Sequence, residues 1–256
     1  MLNYIKSEFY RIFHSASIYV TIAIFSGIPL CLNIALYLFG RFSPNFGYAT
    51  TSFSFSNIVS SPMLFCYSAL ITVYVLYDRN KKNGNLKNVI AFGVSRTKIF
   101  IGQCIVSLIV SIIIAITAET VYISSALLLL PVQGPVTIEN MLFEMLAVLP
   151  IAISALIFGI VVVQLFEHSF IGILVWSSVF CFIPQILLYI GVVVEPVREI
   201  ALWFPQNIFR FMQVNLTQCL TVWDTPEGLL QCLTSGFIWI AVFSTFGFFS
   251  LKKKEL

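Results

Sequence analysis

Glu119 is the one acid set deep within a long apolar run of this sequence, in ITAETVY, where Thr117, Thr120 and Tyr122 surround it. A carboxyl group at membrane depth is costly to place, so such a residue marks a functional site by default. Counted from Thr97 at about 1.5 Å per residue, it lies about 33 Å along its helix, close to a membrane boundary. Two readings stand: an interfacial acid bonded to its neighbouring hydroxyls, or a residue of a translocation path facing a partner subunit. Other reactive types are scarce. The two histidines, His14 and His168, fall at expected membrane boundaries, where a histidine is usually a solvated residue and not part of a catalytic set. The sequence has no His-Glu-x-x-His helix for zinc, no Gly-x-Ser-x-Gly elbow and no Gly-x-x-x-x-Gly-Lys-Ser/Thr loop for phosphates. A catalytic role is not expected, and any ATP must be held by another polypeptide.

A second set of residues carries charge rather than reactivity. The stretch 77–103, YDRNKKNGNLKNVIAFGVSRTKIFIGQ, opposes one acid, Asp78, with Arg79, Lys81, Lys82, Lys87, Arg96 and Lys98. Within it Leu86, Val89, Ile90 and Val94 recur at helical spacing, with Asn85, Lys87 and Asn88 on the other face. That is the pattern of a short amphipathic helix. Gly93 stands where such a helix would end, and Ser95 where the next would take its N-cap. One reading is an anchor that holds two spans on the cytoplasmic side. The other is a docking surface for a cytosolic partner.

The elements that would position these residues are membrane helices. Of 256 residues, 59% are hydrophobic and 10% charged, and the mean hydropathy is +0.97. Soluble domains are about a quarter charged, which excludes that class. Six apolar runs reach the roughly 20 residues a spanning helix needs: 17–39, 57–77, 97–130, 146–166, 170–194 and 229–251. The expected fold is a single all-α integral membrane domain over residues 1–256. Pro29, Pro150 and Pro184 are expected to kink or break three of the spans.

Before the first span, residues 1–14 align Leu2, Ile5, Phe9, Ile12 and Phe13 on one stripe, with Lys6, Glu8 and Arg11 elsewhere. This predicts an interfacial helix. No small-x-small cleavage site closes the run that follows, which argues against a signal peptide. Residues 40–56 read as a loop, and 141–144 as a surface stretch before the fourth span. The segment 195–228 is aromatic enough for short helices dipping into the outer leaflet, with Trp203 and Trp223 in an interface belt.

Charge then sets orientation. Lys6, Arg11, the six cations of the basic stretch and Lys252, Lys253 and Lys254 lie on one side, against Arg41, Arg198 and Arg210 on the other. The positive-inside rule places both termini and residues 78–96 in the cytoplasm. Of the six cysteines, only Cys219 and Cys232 are positioned to meet near the outer surface, and spacing alone establishes no bond. Asn215-Leu216-Thr217 matches a glycosylation acceptor, a triplet that arises easily by chance.

The layout and the basic stretch together resemble the permease subunit of a type-2 ABC exporter. The resemblance covers the whole chain in its arrangement of an amphipathic N-terminal helix and six spans. It is residue-specific only over about 78–98, where Asp78, Gly84, Leu86, Lys87, Gly93, Ser95 and Arg96 follow the family's loop pattern. Family members more often carry Glu ahead of the glycine and a Pro near the position of Gly93.

The resemblance implies that this loop holds a coupling helix docking into a cytosolic ABC ATPase, present in two copies and carrying ATP and Mg. Leu86, Val89, Ile90 and Phe92 would anchor the helix, Gly93 and Ser95 would shape its exit, and Lys87 and Arg96 would face acids on the partner. It further implies a second permease, identical or homologous, and a multi-pass location in the bacterial plasma membrane. The substrate would be an amphiphile such as an antimicrobial peptide, a drug or a lipid-like molecule, by analogy with lantibiotic self-protection systems. No cofactor is expected on the chain itself, and no nucleic acid as partner. The alternative is an ATP-independent carrier or a membrane-anchored assembly protein.

Overall fold

In lipid the backbone has no water to bond with, so long apolar segments satisfy their own amides as helices. The computed structural model describes residues 1–43, 46–82, 85–208, 213–214 and 218–253. Its helices are α1 (Leu2–Phe13), α2 (Ala16–Phe42), α3 (Thr51–Val59), α4 (Met63–Lys82), α5 (Asn85–Ala91), α6 (Arg96–Leu129) and α7 (Ile138–Leu165). They continue with α8 (Ser169–Ser177), α9 (Ile183–Gly191), α10 (Glu195–Ala201), α11 (Pro205–Ile208) and α12 (Pro226–Lys253). The chain is an all-α, multi-pass membrane protein. Among the described residues five elements are long and apolar enough to cross: α2, α6, α7, the α8–α9 rod and α12.

The run at 57–77 is not one straight span. Helix α3 starts earlier, with Thr50 Oγ1 accepting the Phe53 N–H at 3.2 Å, inside what the sequence suggests is loop. It stops before Pro62, and α4 departs at 67°. Proline disfavours helical geometry at the residue before it and has no N–H for the ladder. The α8–α9 rod changes differently. A π-helical turn, Ser178–Phe182, precedes Pro184, so the helix widens and continues where a break is expected.

Helix α7 is the axis of the fold. Val148, Ile151, Ala155, Ile160 and Val161 are fully buried, and it packs chiefly against α12 and α4. A helix apolar on every side suits such a central position. Helix α2 packs mainly on α6 and leaves Tyr19, Val20, Ile24 and Ile28 exposed.

Residues 141–144 are part of α7 and not a surface stretch, and both Met141 and Glu144 are buried. The Val222 N–H donates to Glu144 Oε2 at 3.0 Å, which folds the 222–224 turn over the start of α7. Short helices α10 and α11 lead into a two-stranded hairpin, β1 (Gln213–Val214) and β2 (Cys219–Leu220), which helical patterning does not anticipate. Cys219 and Cys232 are both free thiols. Cys232 Sγ donates to Ala147 O at 3.3 Å, which fixes it on the α7 backbone and away from a disulfide. Arg210 and the 215–217 triplet lie outside the described residues.

Candidate coupling site

Helix α5 stands between the end of α4 and the start of α6, and its exit is built by backbone bonds. The Gly93 N–H donates to Ile90 O at 2.9 Å and the Val94 N–H to Val89 O at 3.4 Å. This pair is the Schellman closure, which needs a left-handed residue at its turn. Gly93 supplies it with φ +83. Ser95 occupies the N-cap position of α6 and its carbonyl accepts the Ile99 N–H, but its side chain makes no capping bond. The hydroxyl therefore does not perform the capping task that the sequence assigns to it.

Phe92 projects from this exit 88% exposed, while Val89 and Ile90 are half-buried. Arg96 Nη1 donates to Leu251 O at 3.5 Å, joining the foot of α6 to the last turns of α12. Gly84 and the side chains of Leu86 and Lys87 lie outside the described residues.

The incoming side of the loop is tied down as firmly. Lys81 Nζ donates to Val163 O at 2.8 Å and also to Phe166 O, at the C-terminal end of α7. A cation suits a helix C-terminus, where free carbonyls collect negative potential. One turn earlier, Ser169 Oγ donates to Asp78 Oδ1 at 2.6 Å, and Tyr74 Oη donates to Ser169 O at 3.1 Å. Gly172 makes room for that tyrosine, since a Cβ there would lie 2.3 Å from its hydroxyl.

Beneath the loop is a polar clamp that hydropathy alone does not reveal. Helix α1 turns Tyr4, Glu8 and Ile12 into the protein and leaves Leu2 and Phe13 exposed. Three members of the expected stripe, Ile5, Phe9 and Ile12, pack against the core, and Tyr4 and Glu8 add a polar edge that meets polar groups on α4 and α6. Arg11 pairs with Glu8 at 2.6 Å, donates to Leu76 O at 3.3 Å and lies 6.0 Å from the Tyr77 ring centre. Tyr77 Oη donates to Gln103 O at 3.3 Å, and Ser107 Oγ donates to Tyr77 Oη at 3.3 Å. Gln164 Nε2 completes the link from α7, donating to Gln103 Oε1 at 3.1 Å. Burial, helped by Glu8, holds the Tyr4 phenol above its ordinary pKa, so it stays neutral. The available sequence signal was two amides, Gln103 and Gln164, at the ends of apolar runs on the same expected side.

Glu119 belongs elsewhere. It lies about 35 Å along α6 from Arg96 at the helical rise, so the structure does not bring it to the loop. Its Oε2 is buried without a hydrogen-bond partner. The neighbouring hydroxyls are engaged otherwise: Thr117 donates to Ile113 O at 2.8 Å, Thr120 to Ile116 O at 2.7 Å, and Tyr122 to Ser54 O. The hydroxyl-bonded reading of Glu119 is therefore corrected. Asn33 fills the nearby polar space, donating to Tyr122 O at 3.1 Å and Ser125 Oγ at 2.8 Å and accepting from Ser54 Oγ at 2.6 Å. That satisfied network fixes α3 against α2 and α6.

Among the described residues no group of three or more His, Cys, Asp or Glu could hold a metal ion. No protein-family model matches the sequence, and no curated protein matches it.

Proposed function

We propose that this chain is the membrane subunit of an ATP-driven exporter, energised at α5 by a separate cytosolic ATPase. The observation that carries the reading is Phe92, an exposed aromatic at the end of a short helix whose two flanks are bonded to α7 and α12. An aromatic residue left bare on a rigid mount is a natural anchor for a protein pocket. Bonds from Lys81 and Arg96 would convert a push on α5 into motion of the α4, α6, α7 and α12 ends. In this reading α3 and α4 form one bent span, which makes six, and both termini face the cytoplasm. The cation asymmetry supports that orientation. The ATPase would be present in two copies, with ATP and Mg on it, and a second permease would complete the pathway. The cargo would be an amphiphile, and the location a bacterial plasma membrane.

Co-purification from the native host tests this. An ATPase with Walker motifs should accompany the tagged chain and be lost on Ile90→Asp. Full transport activity by the purified chain alone would overturn the proposal.

Glu119 lends a second reading, an ATP-independent carrier, its one specific support: a buried carboxyl oxygen with no bond. Under that reading Glu119→Gln abolishes transport without any ATPase. Under the first, transport stops when ATP is withdrawn.

A further inference from the structure

At the end of the bundle remote from α5, a cavity of about 460 Å³ opens between α3, the end of α6 and the start of α7. Its walls are fixed. The Thr51 N–H donates to Pro131 O at 3.1 Å, and the Val136 N–H donates to Ser52 Oγ at 3.0 Å. Gly134, at φ +104, lies so close that a Cβ would meet the Ser52 Cβ at 2.5 Å. The floor is Phe55 and Val136, both buried, and Leu127 and Val132 form an exposed apolar wall. One ionisable side chain lines it, Glu139, which is exposed and takes part in no ion pair among the described residues.

We propose that this cavity binds the head and first methylenes of a cationic amphiphile, with Glu139 facing the cation. The volume falls within the usual range for a small-molecule site, about 300–1,000 Å³. Charge decides the sign of the ligand. The N-terminus of a helix generally favours anions, but the capping box of α7 takes two of the amides there. Here Asn140 N–H is bonded to Thr137 Oγ1 at 3.3 Å and Thr137 N–H to Asn140 Oδ1 at 3.0 Å. Glu139 also occupies the first turn, where it repels anions. Its wider setting is acidic as well: among the described residues Glu144, Glu195, Glu199, Asp224 and Glu227 lie on the elements at this end, against Arg41 and Arg198. Arg41 is engaged with Tyr37, its Nη1 donating to the phenol at 3.1 Å.

This inference extends the proposed function by naming a substrate class, but its test involves no ATPase, so either can fail alone. The full chain is placed in phosphatidylcholine nanodiscs, and binding of dodecyltrimethylammonium is measured by equilibrium dialysis against empty discs. Saturable binding is expected. Glu139→Gln should weaken it about tenfold, the loss of one favourable charge contact. Glu139→Asp should retain most of it. Dodecyl maltoside, which has no charge, should bind the wild type and Glu139→Gln alike, and Val132→Trp should weaken both ligands by filling the space. Purely linear uptake equal to that of empty discs, unchanged affinity in Glu139→Gln, or tighter binding of dodecyl sulfate than of the cation would each overturn it.

Discussion

Lys81, near the end of α4, places its ammonium 2.8 Å from the carbonyl oxygen of Val163 in the last turn of α7. It reaches Phe166 O as well, so one cation closes the C-terminus of the most buried helix. The lysine stands four residues before α5, and the loop that carries α5 is therefore rooted in the core. Hydrogen bonds from charged groups stabilise by roughly 1.5–3 kcal/mol. Replacing Lys81 with Met keeps the stem and removes the donors. The thermal unfolding midpoint of the detergent-solubilised protein should fall by several degrees, and Lys81→Arg should restore part of it. An unchanged midpoint in Lys81→Met would show that the contact does not stabilise the fold.

Gly93 offers a cleaner test of the loop itself. A Cβ added there meets nothing within 4 Å, so no side-chain clash complicates the result. What remains is the backbone: φ +83 costs a non-glycine residue about 1–2 kcal/mol. Gly93→Ala should lower helicity around α5, read as faster amide exchange at Val89 and Ile90, while exchange in α7 stays constant. Gly93→Asn should be milder, since asparagine tolerates the left-handed region. Equal exchange in all three proteins would refute a structural need for glycine at this turn.

Much of the helical layout is legible in hydropathy, and its failures have physical causes. Helices α7 and α2 are both apolar enough to cross a membrane, yet 78% of the most apolar stretch of α7 is buried inside the protein and only 11% of that of α2. Lipid tails and protein cores are equally apolar, so hydropathy cannot say which of them a helix faces. The start of α7 is missed because Glu144 reads as a surface residue. It is buried only because Val222, far along the chain, donates its amide to it. The polar clamp is missed for a similar reason. Tyr4, Tyr77, Gln103 and Gln164 belong to four helices, and their bonds exist only after packing. The turn at Gly93 was legible because it is local, fixed by a few successive residues.

Glu144 yields a prediction about how the segment before α12 is held. Its Oε2 accepts the Val222 N–H, and Val222 is itself buried. Removing the acceptor leaves that amide without its partner, at a cost of about 1–3 kcal/mol. Glu144→Ala should therefore destabilise the protein and raise protease sensitivity around residues 218–225. Glu144→Gln retains a carbonyl oxygen that can accept and should behave nearly as wild type. If Gln and Ala are equally damaging, the charge and not the hydrogen bond is what the site requires.

Phe92 separates the docking role from the anchoring role of the loop. At 88% exposure the ring contributes little to folding, so Phe92→Asp should leave the unfolding midpoint within about a degree of wild type. Positive-inside anchoring would also survive, because every nearby lysine and arginine is kept. A docked aromatic behaves differently, since truncating an anchor commonly costs at least 2 kcal/mol of binding, about thirtyfold in affinity. Phe92→Asp should thus abolish recovery of the ATPase partner and stop transport, whereas Phe92→Leu, which keeps an apolar knob, should retain both in part. If Phe92→Asp transports like wild type, α5 is an anchor and the energy enters elsewhere.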